Sequence, residues 1–150
     1  MSAFPRLRVR GPVRTLLVVF GDQLDLRAST IRALDREEDA LLMMEAREEA
    51  THVPSHRQRT TLFLAAMRHF AIDLEADGWR SAYLRLDNAE GGGDLPQQLE
   101  RVVRALRPRR LLVYRPADHR TLQALERAER SLQIEVERFE DPHFRLDPAD

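Results

Sequence analysis

The sequence predicts a three-layer α/β sandwich around a five-stranded parallel sheet. Three observations carry this reading: Val13 to Phe20 is a nearly continuous hydrophobic run, short apolar runs recur between amphipathic segments, and each run empties into a polar loop. A near-continuous run rich in valine and leucine is the pattern of a central parallel strand covered by helices on both faces. Right-handed crossovers then gather parallel strands into one sheet with helices on its faces.

Strand one, Val13 to Phe20, is expected mid-sheet and leads into Gly21-Asp22-Gln23-Leu24. Leu26 to Leu34 is a short helix candidate, and Asp39 to Met44 reads as strand two, with a polar exit over Glu45 to Thr51. Ser55 and Gln58 have the spacing of a capping box, which predicts a helix start there. Phe63, Ala66, Met67, Phe70 and Leu74 fall on one face of the long helix that follows, which ends near Gly78. Trp79 to Leu86 supplies strand three, whose neighbouring arginines predict a less buried edge.

Asn88 to Gly93 is a glycine-rich loop, after which Asp94 and Gln97 have capping-box spacing. Leu95, Leu99, Val102, Val103 and Leu106 form the buried side of that helix, which Pro108 closes. Leu111 to Tyr114 is strand four, with Arg115 to Asp118 as its exit loop. Leu122, Leu125, Ala128 and Leu132 mark the last helix, and Ile134, Val136 and Phe139 alternate as strand five. The fold class is thus Rossmann-like or flavodoxin-like, and a strand order of 3-2-1-4-5 sets the exits of strands one and four beside a topological switch. Residues 1–12 read as a flexible lead-in, 13–140 as the α/β domain and 141–150 as a tail or linker.

Composition narrows the function classes. The chain has 150 residues, enough for one core, and 24 Lys and Arg balance 25 Asp and Glu for a formal charge of -1. No global basic excess announces nucleic-acid binding. The absence of cysteine removes thiolate nucleophiles, cysteine-ligated zinc and a cysteine-held iron–sulfur cluster from these residues. With no signal peptide and no membrane-length apolar run, the chain reads as cytoplasmic.

The chemistry sits in the loops after the strands. Gly21 permits a tight strand exit, Asp22 is an acceptor when ionised, and Gln23 both donates and accepts. Together they suit the edge of a polar heterocycle or a sugar hydroxyl, or else satisfy the amides of their own loop. Neither a G-x-G-x-x-G fingerprint nor a G-x-x-x-x-G-K-[ST] segment is present, which disfavours a conventional dinucleotide or P-loop site. Glu45, Glu48 and Glu49 could serve as metal ligands or as acid and base, though solvated carboxylates are the commoner outcome. His52 and His56 are four apart, but Pro54 between them breaks the helical geometry of a ligand pair. Asp118 is either a crevice residue or an N-cap. No serine, histidine and acid set has credible nucleophilic placement.

Several segments resemble the amino-terminal part of the deoxyribodipyrimidine photolyase-related family, the prokaryotic photolyases and cryptochromes that carry an iron–sulfur cluster. They are Gly21-Asp22-Gln23-Leu24, Glu45 to Ala50, Ser55 to Arg59, Leu64 to Phe70, Pro116 to Arg120 and Phe139 to Phe144. Ala66-Met67-Arg68-His69-Phe70 is the most specific. The resemblance implies a larger protein whose amino-terminal α/β domain holds the antenna chromophore 6,7-dimethyl-8-ribityllumazine. In that family a carboxyl-terminal helical domain holds FAD and the cluster and performs light-driven electron transfer to damaged DNA.

The same resemblance implies that Gly21, Asp22 and Gln23 form the first-strand ligand contact and that Glu49 hydrogen-bonds the lumazine ring or ribityl chain. Phe63 would face the chromophore, His56 would lie in the adjoining helix start, and Asp118 would lie in the far wall. Pro116-Ala117-Asp118-His119 departs from the glycine-acid-aromatic loop found in relatives. The implied role is light harvesting in a DNA-repair or photoreceptor protein, with no catalytic residue in this chain and no metal. The implied partner is a missing or separate FAD-binding helical domain, and the face meant for it leaves homodimerisation in isolation open. The alternatives are a stand-alone enzyme on a nucleotide-like small molecule, or a non-catalytic docking domain.

Overall fold

The structure is a computed structural model in which residues 9–45, 57–86 and 92–140 are described. Five parallel strands form one sheet: β1 (Thr15–Val18), β2 (Ala40–Met44), β3 (Ser81–Leu84), β4 (Arg110–Tyr114) and β5 (Glu135–Phe139). Their order is β3-β2-β1-β4-β5, as the sequence predicts. Among the described residues, four helices lie between them in turn: α1 (Ser29–Arg32), α2 (Arg57–Ala76), α3 (Leu95–Leu106) and α4 (His119–Leu132).

The side-chain period of two in a strand divides the apolar residues between two cores. Leu16, Val18 and Phe20 join Leu99, Val102, Leu106 and Leu125 of α3 and α4 on one face. Leu17 and Val19 join Ile31 of α1 and Met67, Phe70 and Leu74 of α2 on the other. This explains the unbroken hydrophobic run of the first strand: both faces of it are covered. Only Thr15 to Val18 has strand geometry, yet the burial continues through Phe20, and the Val19 amide still reaches the Leu42 carbonyl at 2.9 Å.

Helix ends follow their local chemistry. Asp94 and Gln97 form the expected capping box, with the Gln97 amide donating to Asp94 Oδ1 at 3.0 Å and the Asp94 amide donating to Gln97 Oε1 at 3.1 Å. Beyond α2, Gly78 takes φ +83, the left-handed conformation that suits a residue without Cβ. The Trp79 amide then closes back on the Leu74 carbonyl at 2.9 Å.

Two expectations about the edges need correction. β3 lies at an edge as expected, but all its residues are buried, because Ala82 and Leu84 enter one core and Tyr83 the other. The more open edge is β5, where no residue is fully buried. Val136 and Phe139 do not share a face in a simple alternation: Val136 packs with the α3 and α4 core and Phe139 with the opposite one. They are three positions apart, an odd step that inverts the facing of a strand.

Gly21 is constrained by space. A Cβ built there would lie 2.7 Å from Phe63 Cε1 and 2.9 Å from Met67 Sδ, inside van der Waals contact. The first-strand exit and the first half of α2 are therefore packed backbone against side chain, and only glycine permits the approach. Gly21→Ala is expected to lower stability by about 1–3 kcal/mol, the usual cost of overpacking, read from a denaturant midpoint. A midpoint equal to that of the parent chain would mean that Phe63 moves aside freely.

Candidate functional site

The carboxyl ends of β1 and β4 meet at the topological switch, because β1 pairs with both β2 and β4. In an open α/β sheet this is where the crossover helices diverge and leave a crevice. Gln23 stands in the turn that follows β1 and is only 2% exposed. Its Oε1 accepts from the Phe20 amide at 3.1 Å, and the Gln23 amide donates to the Phe20 carbonyl at 3.0 Å. Both bonds tie the turn to the strand end. Asp22 beside it is exposed, and Gly21 lies beneath the Phe63 ring.

The neighbouring strand end holds the densest polar network of the described residues. Glu45 follows β2, is 0% exposed, and accepts four hydrogen bonds through its carboxylate. Arg68 of α2 donates in bidentate fashion, Nε to Oε1 at 2.6 Å and Nη2 to Oε2 at 3.0 Å. The Tyr83 hydroxyl of β3 donates at 2.8 Å and the Leu86 amide at 3.0 Å. Gln98 of α3 reaches the Glu45 carbonyl at 3.2 Å through Nε2. One carboxylate thereby links β2, β3 and α2, while its backbone carbonyl links α3.

Burial by itself pushes the Glu45 carboxyl up, yet the Arg68 guanidinium, the Leu86 amide and the Tyr83 hydroxyl together hold it below the ordinary glutamate range. Burial, reinforced by the adjacent Glu45 carboxylate, pushes the Tyr83 hydroxyl far above the ordinary tyrosine range, so it stays protonated as a donor. A carboxylate with all its lone pairs engaged and no exposure is a structural anion. It is poorly suited to moving protons or binding a metal, the roles open to it from sequence.

The other site candidates are distributed as follows. Phe63 is half-buried on α2 and packs against the core that includes Val19. Asp118 is the N-cap of α4, accepting from the Thr121 amide and hydroxyl, each at 3.0 Å. Glu48, Glu49, His52 and His56 lie outside the described residues. Among the described residues no three His, Cys, Asp or Glu side chains form a metal-binding group, and no helix is long and apolar enough to cross a membrane.

Sequence reasoning missed two residues of this edge. Arg68 sits between the core residues Met67 and Phe70, and an arginine so placed, facing a glutamate at the end of an all-apolar strand, is the signal that could have paired them. Tyr114 closes β4 and is 4% exposed, with its ring edge-on to Phe139 at a centroid separation of 6.4 Å. Its hydroxyl and Gln23 Nε2 are buried with no hydrogen-bond partner among the described residues. Buried donors of this kind are what a polar ligand at the crevice would satisfy, so this edge fits a heterocycle with acceptor atoms.

A separate surface depression of about 620 Å³ lies beside α1, lined by Leu26, Arg27, Arg32, Leu34, Arg36 and Trp79, together with Asp77. Arg36 lies 4.6 Å above the Trp79 ring, and Trp79 Nε1 donates to Asp77 at 3.0 Å. Trp79 is thus a buried member of the α1 and α2 core whose ring and Nε1 are engaged by Arg36 and Asp77.

A five-stranded parallel sheet ordered β3-β2-β1-β4-β5, with helices on its faces and polar residues at the strand exits, defines a doubly wound, Rossmann-like class of domain. Residues 17–150 match the family described as deoxyribodipyrimidine photo-lyase-related protein, and the chain belongs to that family. It is also similar to a (6-4) photolyase of Agrobacterium fabrum (strain C58 / ATCC 33970), with 29% identity over 129 residues. The match covers 86% of this chain and 25% of the relative, so the chain spans about a quarter of that protein's length.

The pH dependence of stability follows from the carboxylates at the two ends of β2. Asp39, also buried, is pushed up by burial but held below the ordinary range by Arg14 and by the Asp35 and Thr15 amides. A group whose folded value is depressed contributes fully above its unfolded value and loses that contribution as pH falls through the folded value. Stability is therefore expected to decline below about pH 4.5, the ordinary glutamate value. Glu45→Gln should flatten part of that decline and cost about 3 kcal/mol at neutral pH, since it strands a half-buried Arg68. Urea midpoints across pH 3 to 7, the range where such carboxylates titrate, measure both; an unchanged acid slope would remove Glu45 from the titrating set.

Proposed function

We propose that this chain is the lumazine-binding antenna domain of a photolyase-like or cryptochrome-like protein and performs no bond-making step of its own. The observation that carries this reading is Gln23: a buried carboxamide, pinned through its oxygen, with its nitrogen left as a donor at the switch-point crevice of a photolyase-related chain. The bound chromophore would absorb light and pass excitation to a flavin held elsewhere. That transfer needs a fixed orientation and a dry wall, and no acid, base or nucleophile.

The chain's own residues would supply those conditions. Gln23 and Asp22 offer polar contacts after β1, Phe63 offers an apolar wall, and Glu49 offers an acceptor to the ring or ribityl chain. Gly21 lets the turn after β1 approach α2 closely at Phe63 and Met67. His56 and Asp118 complete the expected rim, with Asp118 also fixing the start of α4. The flavin, the iron–sulfur cluster and the DNA-repair or signalling activity would belong to a helical domain outside this cysteine-free sequence. The reading as a stand-alone acid-base enzyme is less well supported, because Glu45 is fully engaged by Arg68, Tyr83 and Leu86.

The test is a titration of the purified chain with 6,7-dimethyl-8-ribityllumazine, followed by ligand fluorescence and absorption. Saturable binding is expected, weakened about tenfold or more in Glu49→Ala, as for loss of a charged hydrogen-bond partner. Absence of binding by folded protein would overturn the reading.

A further inference from the structure

Both Gln23 Nε2 and the Tyr114 hydroxyl are buried without a hydrogen-bond partner among the described residues. Leaving a buried donor unpaired costs roughly 1–3 kcal/mol, so two such groups at one edge of the sheet call for a physical reason. Their positions supply one. Val18 is in register with Val113, so the exits of β1 and β4 lie side by side, with Tyr114 ending β4 and Gln23 in the turn after β1. Leu24 and Leu26 of that turn pack on the same hydrophobic cluster that contains Tyr114. The two groups thus share the carboxyl end of the sheet, at the exits of adjacent strands.

The chemistry of each is fixed. The Phe20 amide requires an acceptor, which assigns Oε1 of Gln23 to it and leaves the buried Nε2 as the donor without a partner. The Tyr114 ring is held edge-on against Phe139, while its hydroxyl hydrogen can turn toward an acceptor. A phenylalanine would fill the same apolar site without the desolvation cost, so packing by itself gives no account of the hydroxyl.

We propose that Tyr114 is a ligand-binding residue of the switch-point crevice, its hydroxyl donating to one acceptor atom of the bound heterocycle while Gln23 Nε2 donates to another. The inference rests on the antenna reading above and deepens it. It calls for a planar heterocycle with at least two acceptor atoms, such as ring carbonyls, and assigns the β4 side of the crevice a contact from the strand end itself.

The experiment compares the parent chain with Tyr114→Phe in the lumazine titration and in thermal melts without ligand. The expected result is a dissociation constant raised about fivefold, the worth of one neutral hydrogen bond, with an unliganded melting temperature equal to or above that of the parent chain. Equal affinity in the two proteins overturns the role of Tyr114 and leaves the antenna reading standing. A melting temperature lowered in Tyr114→Phe shows that the hydroxyl supports the fold, and also overturns the proposal. No binding by folded parent protein overturns the antenna reading and this inference together.

Discussion

The structure depends on an ionised carboxylate buried at the carboxyl end of β2. Glu45 costs desolvation free energy that only close, multiple partners can offset, and the fold supplies Arg68, Tyr83 and the Leu86 amide. To reach it, α2 must lie across the sheet at one angle, β3 must pair beside β2, and the chain after β3 must turn back over the strand end. Gln98 adds α3 through the Glu45 carbonyl. Apolar packing alone tolerates sliding of a helix over a sheet, whereas a bidentate arginine–carboxylate pair does not.

β2 is held in the same manner at its other end. Asp39 accepts from the Arg14 side chain and from the Thr15 and Asp35 amides, closing the β1–β2 connection at the amino edge. Between these two carboxylates lie five fully buried residues, which make the strand interchangeable in register as far as hydrophobicity is concerned. The polar ends remove that ambiguity, since a slip of one residue would strand two buried charges. A rigid β2 in turn fixes β1, whose exit carries Gly21 and Gln23, and the Gly21 contact with Phe63 and Met67 locks that exit against α2.

This arrangement brings together described residues from three of the segments that resemble the photolyase-related family. Gly21 meets Met67, and Glu45 meets Arg68, so the strand-one exit, the strand-two exit and the Ala66-Met67-Arg68-His69-Phe70 segment form one unit. The Glu45 network holds that unit together, and the buried, unpartnered donors of Gln23 and Tyr114 stand at the neighbouring strand exits.

The sequence by itself determined the fold class, the strand order and most elements, because hydrophobic period and helix caps are local properties. The unbroken run from Val13 predicted a strand buried on both faces, and Asp94 with Gln97 predicted a cap that forms. It also located the topological switch, since a switch point follows from strand order. Tertiary structure decided what each polar residue does there. Glu45 reads from sequence as an acid, base or metal ligand and becomes a structural anion only because Arg68, 23 residues later, reaches it. Tyr114 reads as the end of an apolar strand, and its unpaired hydroxyl is visible only once the packing around it is set. The burial of β3 likewise comes from coverage on both faces, against the charge of its flanking arginines. Pairings across long sequence separations depend on the three-dimensional path of the chain, and no local pattern encodes them.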